Sequence, residues 1–148
     1  MLMISLLRVG ALLDKELTDY LSHHAPVGKP TGPQIGILRV LHYYREQGQD
    51  GVALSEIGEH LAVSKANMTG MVDRLERDGL VVREMDAKDR RIKRVRLTPK
   101  ALEMHKRIKP AIIAHIGGLM NTLTQAEQDA LLVSLGKLRQ ALGDMRLM

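Results

Sequence analysis

Ser64, Lys65, Asn67, Thr69 and Arg74 stand close together in the chain, and each is of a type that can meet a nucleic acid. A serine and a lysine at the start of a helix lie where free backbone N–H groups and the helix dipole favour a phosphate. Asparagine and threonine reach base edges, and the asparagine amide suits adenine. Arg74, farther along, has the reach for guanine or for the backbone. Ser55 opens an earlier helical pattern, where its hydroxyl can cap that helix and touch a phosphate. Downstream come Arg83, Lys88, Arg90, Arg91, Lys93, Arg94, Arg96, Lys100, Lys106, Arg107 and Lys109. These are 11 of the chain's 22 Lys and Arg, in under a fifth of its length. The net charge of +5 is modest, but a local basic stripe attracts a polyanion more effectively than an even spread. Within it, Arg90 suits a phosphate contact as well as a plain solvent-facing place.

Other chemistries find little support. No nucleophile elbow, Gly-rich phosphate loop or acid–base pair is present, so no enzyme is expected. His60 beside Glu59 reads as a surface residue rather than a catalytic dyad. The six histidines are His23, His24, His42, His60, His105 and His115, and no pair has the i, i+4 spacing of a helical metal site. Neither a metal nor a cofactor is expected. The absence of Cys excludes disulfides, thiol-based sensing and Cys-bound zinc. No apolar run is long enough to span a bilayer. Met1 to Arg8 lacks the basic start and the small-residue cleavage site of a secretory leader, so a cytoplasmic protein without a membrane partner is expected. With 45% hydrophobic residues, nine Met, three Tyr and no Phe or Trp, the core must be aliphatic and Met-rich.

Two short amphipathic helices are predicted to carry the polar cluster, at Leu54–His60 and Ser64–Asp78. The gap Leu61-Ala62-Val63 has the length of the tight turn in a helix-turn-helix. Ser64 is a good N-cap for the second helix. Met68, Met71, Val72 and Leu75 fall at i, i+3, i+4 and i+7 and predict a buried face, leaving Lys65, Asn67, Thr69, Asp73, Arg74 and Arg77 outside. Gly79 stops this helix as a left-handed C-cap would. Strands follow at Leu80–Glu84 and Lys93–Leu97, the second alternating basic and apolar side chains. The loop between them, Met85 to Ile92, is too polar for a core and too charged for a simple turn. A helix-turn-helix followed by a hairpin with a basic tip is a winged helix.

The flanks are helical. Ile4 to about Ser22 bears the imperfect stripe Ile4, Leu7, Ala11, Leu12, Leu17 and Leu21. His23 to Pro30 is a break. Thr31 and Gln34 have capping-box spacing, with Pro33 in the first turn, and Ile37, Leu38, Leu41 and Tyr44 give the next helix its core face. Gln47 to Gly51 ends it, and Val52-Ala53 adds a minimal third strand. Thr98-Pro99 opens a long helix that Pro110 should kink and Gly117-Gly118 should weaken. Thr124 and Glu127 form another capping box, followed by the stripe Leu131, Leu132, Leu135, Leu138 and Leu142. A compact winged helix cannot cover all three terminal helices, so their stripes need another partner.

Several of these segments resemble one known family. Val72-Asp73-Arg74-Leu75-Glu76-Arg77-Asp78-Gly79-Leu80, then Asp86-Ala87-Lys88-Asp89-Arg90-Arg91, then Val95-Arg96-Leu97-Thr98-Pro99 look like the MarR family of bacterial transcriptional regulators. Ala101 stands where many members carry Gly. The resemblance implies a mainly α fold with a small β-hairpin wing. It implies terminal dimerisation helices at 1–30 and 100–148 around a DNA-binding domain at 31–99. It implies a homodimer on palindromic double-stranded DNA, of the repressor type, since twin recognition helices read two half-sites. It places Arg91 in the minor groove, with Asp89 holding its guanidinium. It also implies a small aromatic or phenolic anion as ligand, for which Tyr20, His23, His24, Arg39, His42, Tyr43 and Tyr44 are the candidates. The alternative is a winged helix used as a protein-interaction module without DNA binding.

Overall fold

In a computed structural model, residues 1–25 and 28–146 are described, so Pro26 and Val27 of the expected break lie outside the described residues. The elements run α1 (Leu2–His24), α2 (Gly32–Glu46), β1 (Val52–Ala53), α3 (Leu54–Leu61), α4 (Lys65–Arg77), β2 (Val81–Met85), β3 (Lys93–Leu97), α5 (Pro99–Met120) and α6 (Gln125–Arg146). The architecture is mainly helical with one small antiparallel sheet in the order β1-β3-β2. Val52 pairs with Val95, and Val81 with Leu97, which turns Val52, Val81, Val95 and Leu97 to one face. No described helix is long and apolar enough to cross a membrane.

The chain separates into two compact units, Met1–Pro110 and Ala111–Met148. In the first, Ile37, Leu38 and Leu41 of α2 meet Ile57 of α3, Met68, Val72 and Leu75 of α4, and Val52, Val81, Val95 and Leu97 of the sheet. This core is aliphatic as expected but not Met-rich: among the described residues Met68 is the one buried methionine, with Met71 and Met104 partly buried against it. Met71 is the exception to the expected buried face of α4. It is only partly buried, because it sits at the edge of that face and lines an open hollow. Leu75 retains 1% exposure, so Leu75→Ala is expected to cost about 2–5 kcal/mol through lost contact and a residual void. Denaturant unfolding checks this, and a loss well under that range would mean the void collapses.

The helix ends follow local chemistry. Gln34 accepts from the Thr31 amide at 2.8 Å, and its side chain is buried there. Thr98 Oγ1 accepts from the Ala101 amide at 3.2 Å and donates to the Gly79 carbonyl at 2.6 Å, tying the start of α5 to the end of α4. At that end Gly79 has φ +74°, Gly79 N donates to Glu76 O and Leu80 N to Leu75 O, a Schellman closure. Leu80 is therefore still part of the helix stop, which is why β2 starts one residue later than expected. α5 runs on through Pro110 as a helix.

The second unit contains the rest of α5 and α6. Thr124 N donates to Glu127 at 2.8 Å and Glu127 N to Thr124 Oγ1 at 3.3 Å, completing the box at the start of α6. Leu131, Leu132, Leu135, Leu138 and Leu142 are exposed along it. In the first unit, Leu2, Met3, Ile4, Leu7, Val9 and Leu12 are likewise exposed, and α1 buries no residue.

Candidate nucleic-acid interface

The helix-turn-helix is tight because Gly58 lets α3 approach the turn and α4 closely. A Cβ on Gly58 would lie 3.1 Å from the Val63 carbonyl and 3.3 Å from Met68 Cγ. Ala62 takes the left-handed conformation, φ 53°, so that Val63 N can donate back to Gly58 O at 2.9 Å. Ser64 then caps α4, its hydroxyl accepting from Asn67 N at 3.4 Å. α3 is capped differently from expectation. Its N-cap is Ala53, whose backbone still belongs to the β1 ladder, and Ser55 lies inside the first turn with no capping bond. The Ser55 side chain instead borders a cleft.

That cleft, of about 610 Å³, lies between the start of the helix-turn-helix and the wing. Ser55, Glu59, Lys65, Thr69, Arg83, Arg91 and Lys93 supply its polar wall, with Leu54, Met68 and Ile92 among the apolar residues. Asn67 and Arg74 are not in it. They line a second hollow, of about 510 Å³, with Thr31, Gln34, Gly70 and Met71. The division follows from helix geometry, since positions 65 and 69 lean to one flank of α4 and positions 67 and 74 to the other. Ala66 and Gly70 share the ridge between them, and a Cβ on Gly70 would meet nothing within 4 Å. The sequence signal for the small ridge was present only as one methyl side chain, Ala66, and one absent side chain, Gly70. Thr69 donates its hydroxyl hydrogen to the Lys65 carbonyl at 3.1 Å, leaving its oxygen as an acceptor.

The wing is built on two carboxylates. Asp86 accepts from the amides of Lys88 and Asp89, both at 2.9 Å, and pairs with Arg94. The Arg94 guanidinium and those two amides hold its carboxyl down at about 2. Asp89 accepts from Arg91 Nε and Nη2, each at 3.1 Å, and from the Arg91 amide at 3.0 Å. The Arg91 side chain is nonetheless 91% exposed, a cation held in one orientation at the tip. Arg90 is exposed beside it. Asp86→Ala is expected to speed amide exchange of Lys88 and Asp89 by roughly 10-fold or more while leaving the core folded. Unaltered exchange would show that the turn holds without Asp86.

Much of the basic stripe is neutralised locally. Arg83 donates to Glu76 at 2.7 and 3.0 Å and also pairs with Asp73, tying β2 to α4. Arg96 pairs with Glu84, Arg94 with Asp86, Arg91 with Asp89 and Arg107 with Glu103. Among the described residues, Lys88, Arg90 and Lys93 have no carboxylate partner within ion-pair distance. Lys93 was not singled out from the sequence, although its place at the head of the alternating strand was visible there.

The seven candidate ligand residues fall into separate neighbourhoods. Tyr20 stacks on His24 at 4.2 Å between centroids, and His23 and His24 donate Nδ1 to the carbonyls of Asp19 and Tyr20. Arg39 pairs with Asp14. His42 stacks on His105. Tyr43 is exposed and meets Tyr44 edge-on. The Tyr44 hydroxyl donates to Glu56 at 2.8 Å and lies 2.6 Å from His60 Nε2, linking α2 to α3. His60 is thus a half-buried partner of Tyr44 and not the surface residue expected, because the last turn of α3 faces α2. None of the seven lines either of the two hollows above.

Comparison with known proteins places these features. Residues 31–93 match the model of the MarR family, a segment that contains α2 to the start of β3. Over 84 residues the chain is 39% identical to the uncharacterized HTH-type transcriptional regulator YkoM of Bacillus subtilis, covering 57% of this chain and 54% of that protein. The chain thus spans about half the length of this relative. The crystal structure of apo MarR from E. coli superposes with a TM-score of 0.71 at 25% identity, over 93% of this chain and 96% of that one. MepR of Staphylococcus aureus, in its complex with DNA, shares the fold with a TM-score of 0.67 at 18% identity, over 96% of this chain and 98% of the other. Residues 31–93, which hold the helix-turn-helix and most of the wing, are thus the part of the chain that matches the MarR family.

Proposed function

We propose that this chain acts as a homodimeric, sequence-specific DNA-binding transcription regulator, of the repressor type, on a palindromic operator. The observation that carries this reading is the shared cleft of recognition helix and wing. Lys65 and Thr69 on α4 and Arg91 on the wing border one concave surface, and Arg91 is oriented by Asp89 yet exposed. A helix that enters the major groove with a wing cation over the adjacent minor groove needs that arrangement. Ser64, Lys65 and Ser55 are assigned to phosphates, Asn67, Thr69 and Arg74 to base edges, and Arg90 to the backbone beside the wing. The exposed apolar faces of α1 and α6 support the dimer, because contiguous apolar surface of this kind marks association sites. The solved MepR complex supports DNA as the partner by likeness of fold.

Selection of bound duplexes from a random pool tests the reading. A two-fold symmetric consensus is expected, with affinity that falls steeply as salt rises. Failure to retain any duplex at low salt would favour the protein-interaction module. Release by an aromatic carboxylate is the finer part of the proposal. Salicylate at millimolar concentration is expected to weaken operator binding by roughly 5- to 150-fold. A flat response across such anions would leave a constitutive regulator.

A further inference from the structure

The rings of His42 on α2 and His105 on α5 stack with centroids 3.8 Å apart and planes 27° from parallel. Both side chains are partly buried. Arg45 on α2 and Lys109 on α5 add positive charge to the surroundings of His42, while Glu46 is the acidic group near His105. The contact joins two helices that close one core. α2 brings Ile37, Leu38 and Leu41 to it, and α5 brings Ala101. Two imidazoles stack readily when neutral. As imidazolium ions at that distance they repel each other, and the neighbouring Arg45 and Lys109 increase the repulsion.

We propose that the His42–His105 stack is a proton-operated contact between α2 and α5, which opens on acidification and so weakens DNA binding. The output in DNA affinity rests on the regulator reading above; the proton-operated contact itself does not. Opening the stack frees α2 from α5. α2 packs against α3 and α4, so the helix-turn-helix loses a fixed support while the local capping of α4 remains.

The direction follows from linkage. Burial first, then His105, Arg45 and Lys109, push His42 down to about 4, and burial and Lys109 push His105 down against the opposing pull of Glu46. Separated and hydrated, an imidazole titrates near its ordinary value of about 6.5. The open state therefore binds more protons between those values. The stack is fully favoured above about 6.5 and loses ground as pH falls toward about 4. For His42 alone, going from about pH 7 to about pH 5.5 moves the equilibrium roughly 8-fold toward the open state.

The test uses the full chain and a duplex selected by it, at one salt concentration. Affinity is measured at about pH 7 and about pH 5.5 for the wild type, His42→Gln and His105→Gln, and the ring C–H resonances are titrated by NMR. The expected result is a several-fold loss of wild-type affinity at the lower pH. Both variants lack the stack and should bind more weakly than the wild type already at the higher pH, and His42→Gln should change by less than about 2-fold on acidification. The ring resonances of His42 and His105 should titrate below the ordinary imidazole value of about 6.5. Identical pH profiles for wild type and variants would overturn the switch, and so would a His42 ring that titrates near about 6.5. If no duplex is selected even at about pH 7, the regulator reading fails and takes the DNA output with it. The ring titration then supports or overturns the contact on its own.

Discussion

Leu135→Asp combined with Leu138→Asp is expected to convert the proposed dimer into monomers and to remove most operator affinity. Leu135 and Leu138 leave 43% and 46% of their surface exposed on the protomer. Association can therefore bury roughly half of each side chain, worth about half of the 1.5–3 kcal/mol of a fully buried leucine. Four such side chains across a two-fold interface amount to about 3–6 kcal/mol, on the order of 100- to 10,000-fold in dissociation constant. Four carboxylates in their place would face one another at close range, which adds repulsion. A monomer presents one recognition helix and one wing, so it loses the second half-site as well. Sedimentation is the direct check. An unchanged dimer would remove the α6 stripe from the interface.

Arg91→Ala is expected to lower operator affinity by roughly 5- to 150-fold, reduce the salt slope by about one and flatten preference at the flanks of the site. Asp89→Ala should behave differently. It leaves the cation in place but releases the orienting bonds at 3.0 and 3.1 Å. It also removes a negative charge from the wing, so non-specific binding should rise while discrimination between operator and random duplex falls. Asn67→Ala should relax preference at inner major-groove positions, since its flank of α4 is remote from the wing cleft. Wild-type affinity and preference in both Arg91→Ala and Asn67→Ala would remove these two residues from the assignment.

Local signals were readable along the chain wherever the interaction closes within a few residues. Ser64, Thr98-Pro99, Thr124 with Glu127 and Gly79 each set a helix boundary through a bond to a near neighbour, so residue order suffices to place them. The alternation of β3 and the stretch from Asp86 to Arg91 marked the wing for the same reason. The resemblance of Val72–Leu80 and Asp86–Arg91 to known regulators pointed to the family that residues 31–93 match.

Tertiary structure decided what depends on which way a side chain leaves its element and what stands opposite. The basic stripe counted eleven cations, but Arg83, Arg91, Arg94, Arg96 and Arg107 spend part of their charge on nearby carboxylates, so the open cations of the wing are Lys88, Arg90 and Lys93. The polar residues of α4 divide between two hollows because its azimuth is set by Met68, Val72 and Leu75 in the core. Tyr44 and His60 meet, and His42 and His105 stack, only because α2 crosses α3 and α5 in space. Periodicity carries the face of each helix but no information on the partner that face will find, and that pairing is settled by packing the core.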